Sequence, residues 1–387
     1  MRILSIHNYY QFRGGEDEST ELEQKLMREM GHGVEIYTEN NDKIVGMNPL
    51  QTAAATVWSS SAYQKTKQHL STHQCDLMHV QNFFPLISPS VYYAAKSEGV
   101  PVVQTLRNYR LLCPNGLFFR QGQVCEDCLG SAVPIPGVVH GCYRENRAAS
   151  TVVATMLSVH RAMQTWQEKV DIYIALTKFA KQKFIQGGLP ADKIVVKPNF
   201  VHPDPGMGSG KGGYALYVGR LSVEKGLDTL LNAWEQLNEQ LPLKIVGDGP
   251  LAEEVIAAMK KFAGVEWLGR QPMAEVHRLM GEAQMLIFPS KWYETFGRVI
   301  VEAFAKGTPV IAANIGAISE LVEHGRTGLH FIPGDAKDLA SQVEFALAHP
   351  QELQQMRQAV REEFESKYTA KQNYQQLMQI YRQACKK

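Results

Sequence analysis

Two glutamates that lie eight residues apart form the pattern with the clearest chemical meaning in this chain. Glu294 lies in a loop after an apolar run, and Glu302 lies in a helix predicted from about Gly297. The free amides of Phe296, Gly297 and Arg298, together with the helix dipole, favour an anion at that helix start. Glu302 is suited to hold two ribose hydroxyls and Glu294 to contact a sugar. The alternative for Glu302 is a capping or solvated residue, which its apolar neighbours disfavour.

Two basic side chains follow a strand-like run in the second half of the chain. Arg220 comes directly after the run, and Lys225 precedes a long amphipathic segment. Two cations at the carboxyl edge of a parallel sheet suit a diphosphate; the alternative is a pair of solvated surface charges. Gly247 begins a tight turn at the same edge, where backbone can approach a ligand. Gly14 and Gly15 lie just before the first predicted helix. They form either a loop whose backbone amides bind a phosphate or an ordinary loop and helix start.

Four of the six cysteines fall within one loop-rich stretch that contains a CxxC turn. They are Cys113, Cys125, Cys128 and Cys142. Four thiolates with one CxxC turn suit a tetrahedral structural zinc site, which would order a segment with little to bury. The alternatives are reduced thiols and, last, two disulfides. His140 is a further candidate that could replace Cys142 as a ligand.

Both halves of the chain alternate short β-branched runs with stretches of helical periodicity, the order that predicts parallel sheets. The strands predicted in the first half are 1–6, 33–38, 77–80, 101–105, 171–176 and 194–196. Those predicted in the second half are 214–218, 243–246, 265–268, 285–289, 309–312 and 329–332. Because the carboxyl ends of parallel strands share one edge, the polar residues that follow them are expected there.

A chain of 387 residues fits two domains of ordinary size, and a proline- and glycine-rich linker lies near residues 197–213. We therefore predict an α/β protein with two Rossmann-like domains, at 1–198 and 199–368, that face each other across a cleft. The first domain would carry a Cys-rich insertion at 108–145. The last segment, 369–387, is predicted to be helical.

Composition narrows the classes of partner and compartment. Hydrophobic residues make up 44% and charged residues 20%, as in ordinary globular proteins. With 40 Lys and Arg against 39 Asp and Glu, the chain lacks the basic excess of a nucleic-acid binder, so no nucleic acid is expected. No apolar run reaches the ~18 residues of a membrane-spanning helix, and the start does not resemble a signal peptide. We expect a cytoplasmic protein, with peripheral contact at the inner face of the membrane left open.

The segment 290–307 resembles the E-x7-E motif of the family-4 retaining glycosyltransferases (glycosyl transferases group 1), which have the GT-B fold. Four further segments are similar to the family's other landmarks, in the same order: 14–16, 218–226, 246–249 and 307–310. The resemblance covers nearly the whole chain, and five motifs in register make it specific. The resemblance implies a GT-B protein whose final helix, 369–387, crosses back to the first domain.

The resemblance also implies roles for single residues. In the family, the residue that matches Glu302 binds the donor ribose, and the one that matches Glu294 contacts the donor sugar. The residues that match Arg220 and Lys225 hold the diphosphate. The donor-binding residues that we predict are Gly14, Gly15, Arg220, Lys225, Gly247, Glu294, Phe296, Gly297, Arg298 and Glu302.

Two positions depart from the family's pattern. The family often has Thr-x-His near the end of a first-domain strand, with the His at the reaction centre, whereas Thr105 is followed here by Arg107. A guanidinium does not exchange protons near neutral pH, so we expect Arg107 to bind a phosphate or an acidic acceptor. Gln81 stands where a second His is common. Arg107 and Glu294 are the residues predicted to act at the reaction centre.

These observations predict a retaining glycosyltransferase of the hexosyltransferase type. It would move a sugar from a UDP- or GDP-sugar to a glycan, lipid-linked or other hydroxyl acceptor, in the synthesis of cell-surface polysaccharide or glycoconjugate. The chain has no Asp-x-Asp triplet, so no catalytic metal is expected on the diphosphate. The alternatives are a nucleotide-sugar epimerase on the same fold and a catalytically weak sugar-nucleotide-binding protein.

Overall fold

The computed structural model describes residues 1–11, 13–238, 240–261 and 264–386. The chain divides into two compact units. The first consists of Met1–Phe118, Cys125–Pro198 and Asn373–Lys387. The second consists of Phe119–Val124 and Asn199–Gln372.

The elements up to the end of the first sheet follow in chain order. They are β1 (Arg2–Tyr9), α1 (Gly15–Glu29), β2 (Gly33–Asn40), α2 (Pro49–Val57), α3 (Ser60–His73), β3 (Leu77–Asn82), α4 (Ser90–Ser97), β4 (Val102–Leu106), β5 (Phe119–Arg120), β6 (Gln123–Val124), α5 (Ile135–Val139), α6 (Arg147–Ala162), α7 (Thr165–Glu168), β7 (Ile172–Ala175), α8 (Lys178–Gln186) and β8 (Ile194–Val196). Six strands form a parallel sheet in the order β2-β1-β3-β4-β7-β8. β5 and β6 form a separate antiparallel hairpin.

The remaining elements begin after the segment that the sequence marks as a linker. They are β9 (Ala215–Val218), α9 (Leu227–Leu237), β10 (Leu243–Val246), α10 (Ala252–Lys261), β11 (Val265–Trp267), α11 (Met273–Glu282), β12 (Met285–Phe288), α12 (Arg298–Ala305), β13 (Val310–Ala313), α13 (Gly316–Leu321), β14 (Gly328–Phe331), α14 (Ala336–Ala348), α15 (Pro350–Lys367) and α16 (Ala370–Ala384). The second parallel sheet has the order β11-β10-β9-β12-β13-β14. Two parallel, doubly wound sheets confirm the predicted fold class.

Strand order reverses once in each sheet, between β1 and β3 in the first unit and between β9 and β12 in the second. In open α/β sheets, ligands bind outside the carboxyl ends of the strands at such a reversal. The loops that follow β9 and β12 are therefore the place to examine in the second unit. In the first unit the corresponding place is formed by the loops that follow β1, β3 and the neighbouring strand β4.

Apolar side chains at helical spacing hold the helices onto the sheets. In the second unit Leu230, Trp234 and Leu237 of α9 are buried in one cluster with the strands. In the first unit Leu377 and Tyr381 of α16 are buried against residues of the first sheet. Burying one large apolar side chain contributes about 1.5–3 kcal/mol, enough to fix each helix on its sheet. Within the described ranges, no helix combines the length and apolar character that crossing a membrane requires.

The structure differs from the sequence prediction in three places of the first half of the chain. Residues 49–73, for which no element was predicted, form α2 and α3. The Cys-rich insertion, expected to be irregular, contains α5 and the β5–β6 hairpin. β1 runs to Tyr9 instead of Ile6, because the polar side chains of its last residues are buried with polar partners: His7 Nε2 lies 2.7 Å from Asp17 Oδ1.

Candidate functional site

Loops after β9 and β12 meet where strand order reverses in the second sheet, through the pair Lys225 and Glu294. Lys225 Nζ lies 2.5 Å from Glu294 Oε1. The same oxygen accepts hydrogen bonds from Ser290 Oγ at 3.1 Å and from Trp292 Nε1 at 3.0 Å. Lys225 Nζ also lies 5.3 Å from the centroid of the Trp292 ring, within cation–π range. Three donors thus hold Glu294, which is only 7% exposed, in one orientation.

Close backbone packing keeps these two loops in place. Gly226 has a φ of +71°, and a Cβ added there would lie 1.9 Å from the carbonyl oxygen of Pro289. Only glycine avoids that clash and the strain of this φ. The backbone N–H of Lys291 donates to the carbonyl of Glu224 at 2.9 Å, and Lys291 Nζ contacts Asp228 Oδ2 at 2.7 Å. The Lys225–Glu294 pair therefore sits on a rigid support.

Helix α12 carries the second glutamate of the motif. Glu302 is buried, and its Oε1 lies 2.8 Å from Arg298 Nε, one turn earlier. Gly297 precedes the helix with a φ of +88°, which directs the chain from the loop into the first turn. Phe296 is buried and meets the Tyr368 ring edge-on at 6.2 Å, so only its backbone is placed to serve a ligand. The site thus combines a helix start with a buried carboxylate and its guanidinium.

Arg220 and Gly247 have different surroundings at the same edge of the sheet. Arg220 is exposed after β9, and among the residues that the structure describes its side chain has no ion-pair partner. Gly247 has a φ of +137°, and an added Cβ would lie 1.8 Å from the carbonyl oxygen of Gly219. Close approach of two loops therefore explains this glycine without a ligand. Arg220 is the cation best placed to receive an anion.

In the first unit, Gly14 and Gly15 open helix α1 as the sequence suggests. The Gly14 N–H donates to Asp17 Oδ2 at 3.1 Å, and Asp17 is fully buried against His7. Burial raises the pKa of the neighbouring Glu16. Carboxylates in the first turn already compensate the helix dipole, where a phosphate was predicted to bind. The phosphate contact of Gly14 and Gly15 stays a prediction.

Arg107 follows β4 and is buried in a chain of hydrogen bonds. Its Nε donates to Gln81 Oε1 at 2.8 Å, and Gln81 Nε2 donates to Glu23 Oε1 at 2.6 Å. The other oxygen of Glu23 accepts from Lys197 Nζ at 3.0 Å. Glu23, Gln81, Arg107 and Lys197, all buried, are called the buried charge network below. The two residues that depart from the family's pattern, Arg107 and Gln81, are hydrogen-bonded to each other.

His79 adjoins this network and connects it to the last helix. Its Nδ1 lies 2.7 Å from Tyr381 Oη of α16, and its Nε2 lies 2.8 Å from Thr105 Oγ1. Burial lowers the pKa of His79 to about 4, so the ring is neutral at pH 7. Burial alone would raise the pKa of Glu23, but nearby positive charge, from Lys197 above all, lowers it to about 2. Sequence gave no sign of Glu23 or Lys197, which lie far apart along the chain.

The four cysteines of the insertion lie in the first unit. Cys113 and Cys128 are buried, and Cys125 and Cys142 are half-buried. Burial raises the pKa of the Cys128 thiol to about 11, and the other three thiols add to that rise. Among the residues that the structure describes, however, the four thiols do not form a group of three or more donor atoms within 4.8 Å of one another, so the zinc site stays a prediction.

A further group of metal-type donors was not found from the sequence. Glu35 lies on β2, and His69 and His73 lie on α3; one donor atom from each falls within 4.8 Å of the others. Two histidines four residues apart face the same side of a helix, a recognisable signal once a helix is expected. No helix was predicted there, so the pair carried no meaning in the sequence.

The second unit matches a known family. Residues 208–363 match the family model described as Glycosyl transferases group 1. The chain is 34% identical over 159 residues to a glycogen synthase of Mycobacterium tuberculosis, covering 40% of this chain and 38% of that protein. Such a match spans well under half of the relative's length. Similarity to the alpha-D-kanosaminyltransferase of Streptomyces kanamyceticus is weaker but longer, at 24% over 321 residues, covering 80% of this chain and 76% of that enzyme.

Solved structures resemble the chain over almost its whole length. Anabaena HepE in complex with UDP superimposes with a TM-score of 0.70 at 20% identity, covering 98% of this chain and 99% of that one. At so low a sequence identity, this structural likeness shows the fold alone, which is that of GT-B glycosyltransferases.

Proposed function

We propose that this protein is a glycosyltransferase that binds a nucleotide-sugar donor in its second unit. One observation carries the proposal: the Lys225–Glu294 pair lies where strand order reverses in a parallel sheet, and α12 begins in the same loop. That is where doubly wound folds bind nucleotides. The family match over 208–363 supports it, because this range holds the same residues.

Each group of the donor has a candidate partner. The diphosphate would lie between exposed Arg220 and the amides at the start of α12, where cation and dipole both favour negative charge. Glu302 would accept hydrogen bonds from the ribose hydroxyls, and Glu294 would contact the sugar. Because Lys225 is bonded to Glu294, it orients that carboxylate in addition to any contact with the diphosphate.

UDP-sugars are the donors that we propose to test first. The solved relative from Anabaena contains UDP, and other crystals of the same protein contain UDP-glucose. GDP-sugars form the second group to test. We expect the diphosphate to be held without a metal ion, so turnover should not depend on added Mg²⁺.

The reaction that we propose proceeds with retention at the anomeric carbon. An acceptor hydroxyl oxygen would bond to that carbon on the face from which the diphosphate leaves, while the bond from carbon to diphosphate oxygen breaks. The hydroxyl proton would pass to the leaving diphosphate. Arg220 and the α12 amides would stabilise its charge electrostatically. NMR assignment of the product linkage tests this step, and an inverted anomer would exclude it.

Arg107 is our candidate for a contact with an anionic acceptor, or with the donor diphosphate. The supporting observation is its place in the buried charge network, which fixes the guanidinium through Nε. A fixed planar fork of donors suits phosphate or carboxylate. Lipid-linked or phosphorylated glycans are acceptors with that chemistry, and they fit a role in cell-surface glycan synthesis.

A structural zinc ion on Cys113, Cys125, Cys128 and Cys142 is a separate proposal. Support comes from the residue types and spacing of the four cysteines, which are all free thiols and lie buried or half-buried in the same insertion. Elemental analysis should find about one zinc per chain that is lost in Cys128→Ser. Freshly prepared protein without zinc, kept away from chelators, would rule it out.

A thermal-shift screen of nucleotide sugars, followed by a turnover assay, tests the proposed function. The correct donor should raise the melting temperature of the natural chain and much less that of Arg220→Ala. Lys260→Ala, which removes a charge on α10, is the matched control. Sugar transfer only when acceptor is present indicates a transferase, whereas an altered donor without acceptor indicates an epimerase. Donor binding without turnover would contradict the enzymatic proposal.

A further inference from the structure

We propose that Glu35, His69 and His73 form a binding site for a divalent transition-metal ion, such as Zn²⁺, on the first unit. The site is distinct from the cysteine cluster and from the proposed donor site, and it does not depend on the proposed function. Its donors are two imidazole nitrogens and one carboxylate oxygen within 4.8 Å of one another.

The fold explains why these three residues come together. Ala62, Thr66 and Leu70 of α3 are buried, which fixes the orientation of the helix. His69 and His73, four residues apart, then share another side of α3. β2 is the edge strand of the first sheet and contacts α3, which places Glu35 next to the histidines.

Distances and ring contacts pre-organise the group. His73 Nδ1 lies 3.3 Å from Glu35 Oε1. The imidazole rings of His69 and His73 stack with centroids 5.9 Å apart. The Tyr37 ring stacks on the His69 ring, with centroids 5.8 Å apart. Little rearrangement is needed for the three donor atoms to converge on one ion.

One unpartnered donor atom and the local charge also suit a cation. The Nδ1 of His69 is buried without a hydrogen-bond partner among the described residues. Lys65 is the nearby charge that opposes a cation, and its ammonium is bonded to Glu39 at 3.0 Å. Glu35 supplies negative charge to the site itself.

Two imidazoles and a carboxylate select borderline divalent ions such as Zn²⁺, Co²⁺ and Ni²⁺ over Ca²⁺ or Mg²⁺. Side chains of His73 and Glu35 are 39% and 42% exposed, so water can complete the coordination. A bound ion would connect the edge strand β2 to α3. It should therefore stabilise the first unit, by an amount that grows with the logarithm of the metal concentration above Kd.

Titration of the purified full chain with Co²⁺ tests the site, because absorption spectra separate nitrogen and oxygen ligands from thiolates. We expect one Co²⁺ to bind without a thiolate charge-transfer band and to raise the melting temperature. His73→Ala and Glu35→Gln should each weaken this binding at least tenfold. His349→Ala, which removes a solvent-facing histidine on another unit, should leave it unchanged.

Two results would overturn the proposal. One is Co²⁺ binding that is equally tight in His73→Ala, Glu35→Gln and the natural chain. The other is that all bound Co²⁺ shows the thiolate band and is lost in Cys128→Ser. Circular dichroism of each variant checks that it is folded; both substitutions are at partly exposed positions, so folding is expected.

Discussion

Both units have a parallel, doubly wound sheet, but they use charge differently at the carboxyl edge. In the second unit Lys225 and Glu294 are neighbours across two adjacent loops, and Arg220 is exposed in the same loop as Lys225. In the first unit Glu23 and Lys197 are almost fully buried and come from distant parts of the chain. The cations Arg220 and Lys225 reach solvent and can contact a ligand, although Glu294 itself is buried, whereas Glu23 and Lys197 are both buried and must keep each other as partners. We infer that the second unit offers charge to a ligand and the first uses it to fix its own structure.

Glu23→Gln should have the largest effect on stability. It removes a buried carboxylate and leaves Lys197 without its partner, which costs about 3–5 kcal/mol for a buried pair. Glu294→Gln, the matched change in the second unit, should cost far less because Lys225 is nearer to solvent. Urea unfolding of both variants measures the difference. Replacing both members, as in Glu23→Gln with Lys197→Met, should recover part of the loss. Equal losses for Glu23→Gln and Glu294→Gln would break the comparison.

Glu302→Gln should act on donor binding. It weakens the proposed contact with two ribose hydroxyls and removes the charge of Glu302 from its ion pair with Arg298. Hydrogen bonds to charged groups contribute about 1.5–3 kcal/mol, so we expect donor affinity to fall about 10- to 100-fold. Calorimetry with the donor from the thermal-shift screen measures it, with Glu253→Gln on the exposed side of α10 as control. Unchanged affinity would remove Glu302 from the donor site.

Arg107→Lys tests whether the buried charge network also serves the reaction. Lysine keeps the charge but loses the planar fork and the bond to Gln81, so turnover should fall about tenfold, as for one lost hydrogen bond to a charged group. The Michaelis constant that rises, for acceptor or for donor, identifies the anion that Arg107 contacts. Arg107→Ala is less informative, because burial of the network makes it destabilising as well. Normal turnover of a folded Arg107→Lys would restrict Arg107 to a structural role.

The dependence of stability on pH should also arise in the first unit. Folding lowers the pKa of His79 to about 4 and that of Glu23 to about 2, from ordinary values of about 6.5 and 4.5. Both groups therefore contribute stability above their ordinary pKa values and lose it as the pH falls. The loss should begin near pH 6.5 through His79 and continue from about pH 4.5 to 2 through Glu23. Unfolding measured against pH should be flatter above pH 4.5 in His79→Gln; an unchanged profile would contradict the assignment.

Sequence was a good guide to the second unit because its signals are local. Strands at 214–218, 243–246 and 285–289 were predicted close to where β9, β10 and β12 lie. Glu294 and Glu302 belong to one contiguous motif, and Arg220 and Lys225 lie in one loop. Chain connectivity and the parallel order of strands then suffice to place them at a common edge. The sequence did not show that Lys225 bonds to Glu294, because either Arg220 or Lys225 could have done so.

The alternation of strands and helices determined the parallel α/β fold, because periodicity depends only on which faces must be buried. It could not determine which polar residues are buried together. Glu23 and Lys197 are 174 positions apart, and His69 and His73 have no evident partner until α3 contacts β2. A buried charge is tolerated only where the tertiary structure supplies an opposite charge or a hydrogen bond, and distance along the chain carries no information about that partner. The buried charge network and the histidine–glutamate group were therefore decided by the tertiary structure alone.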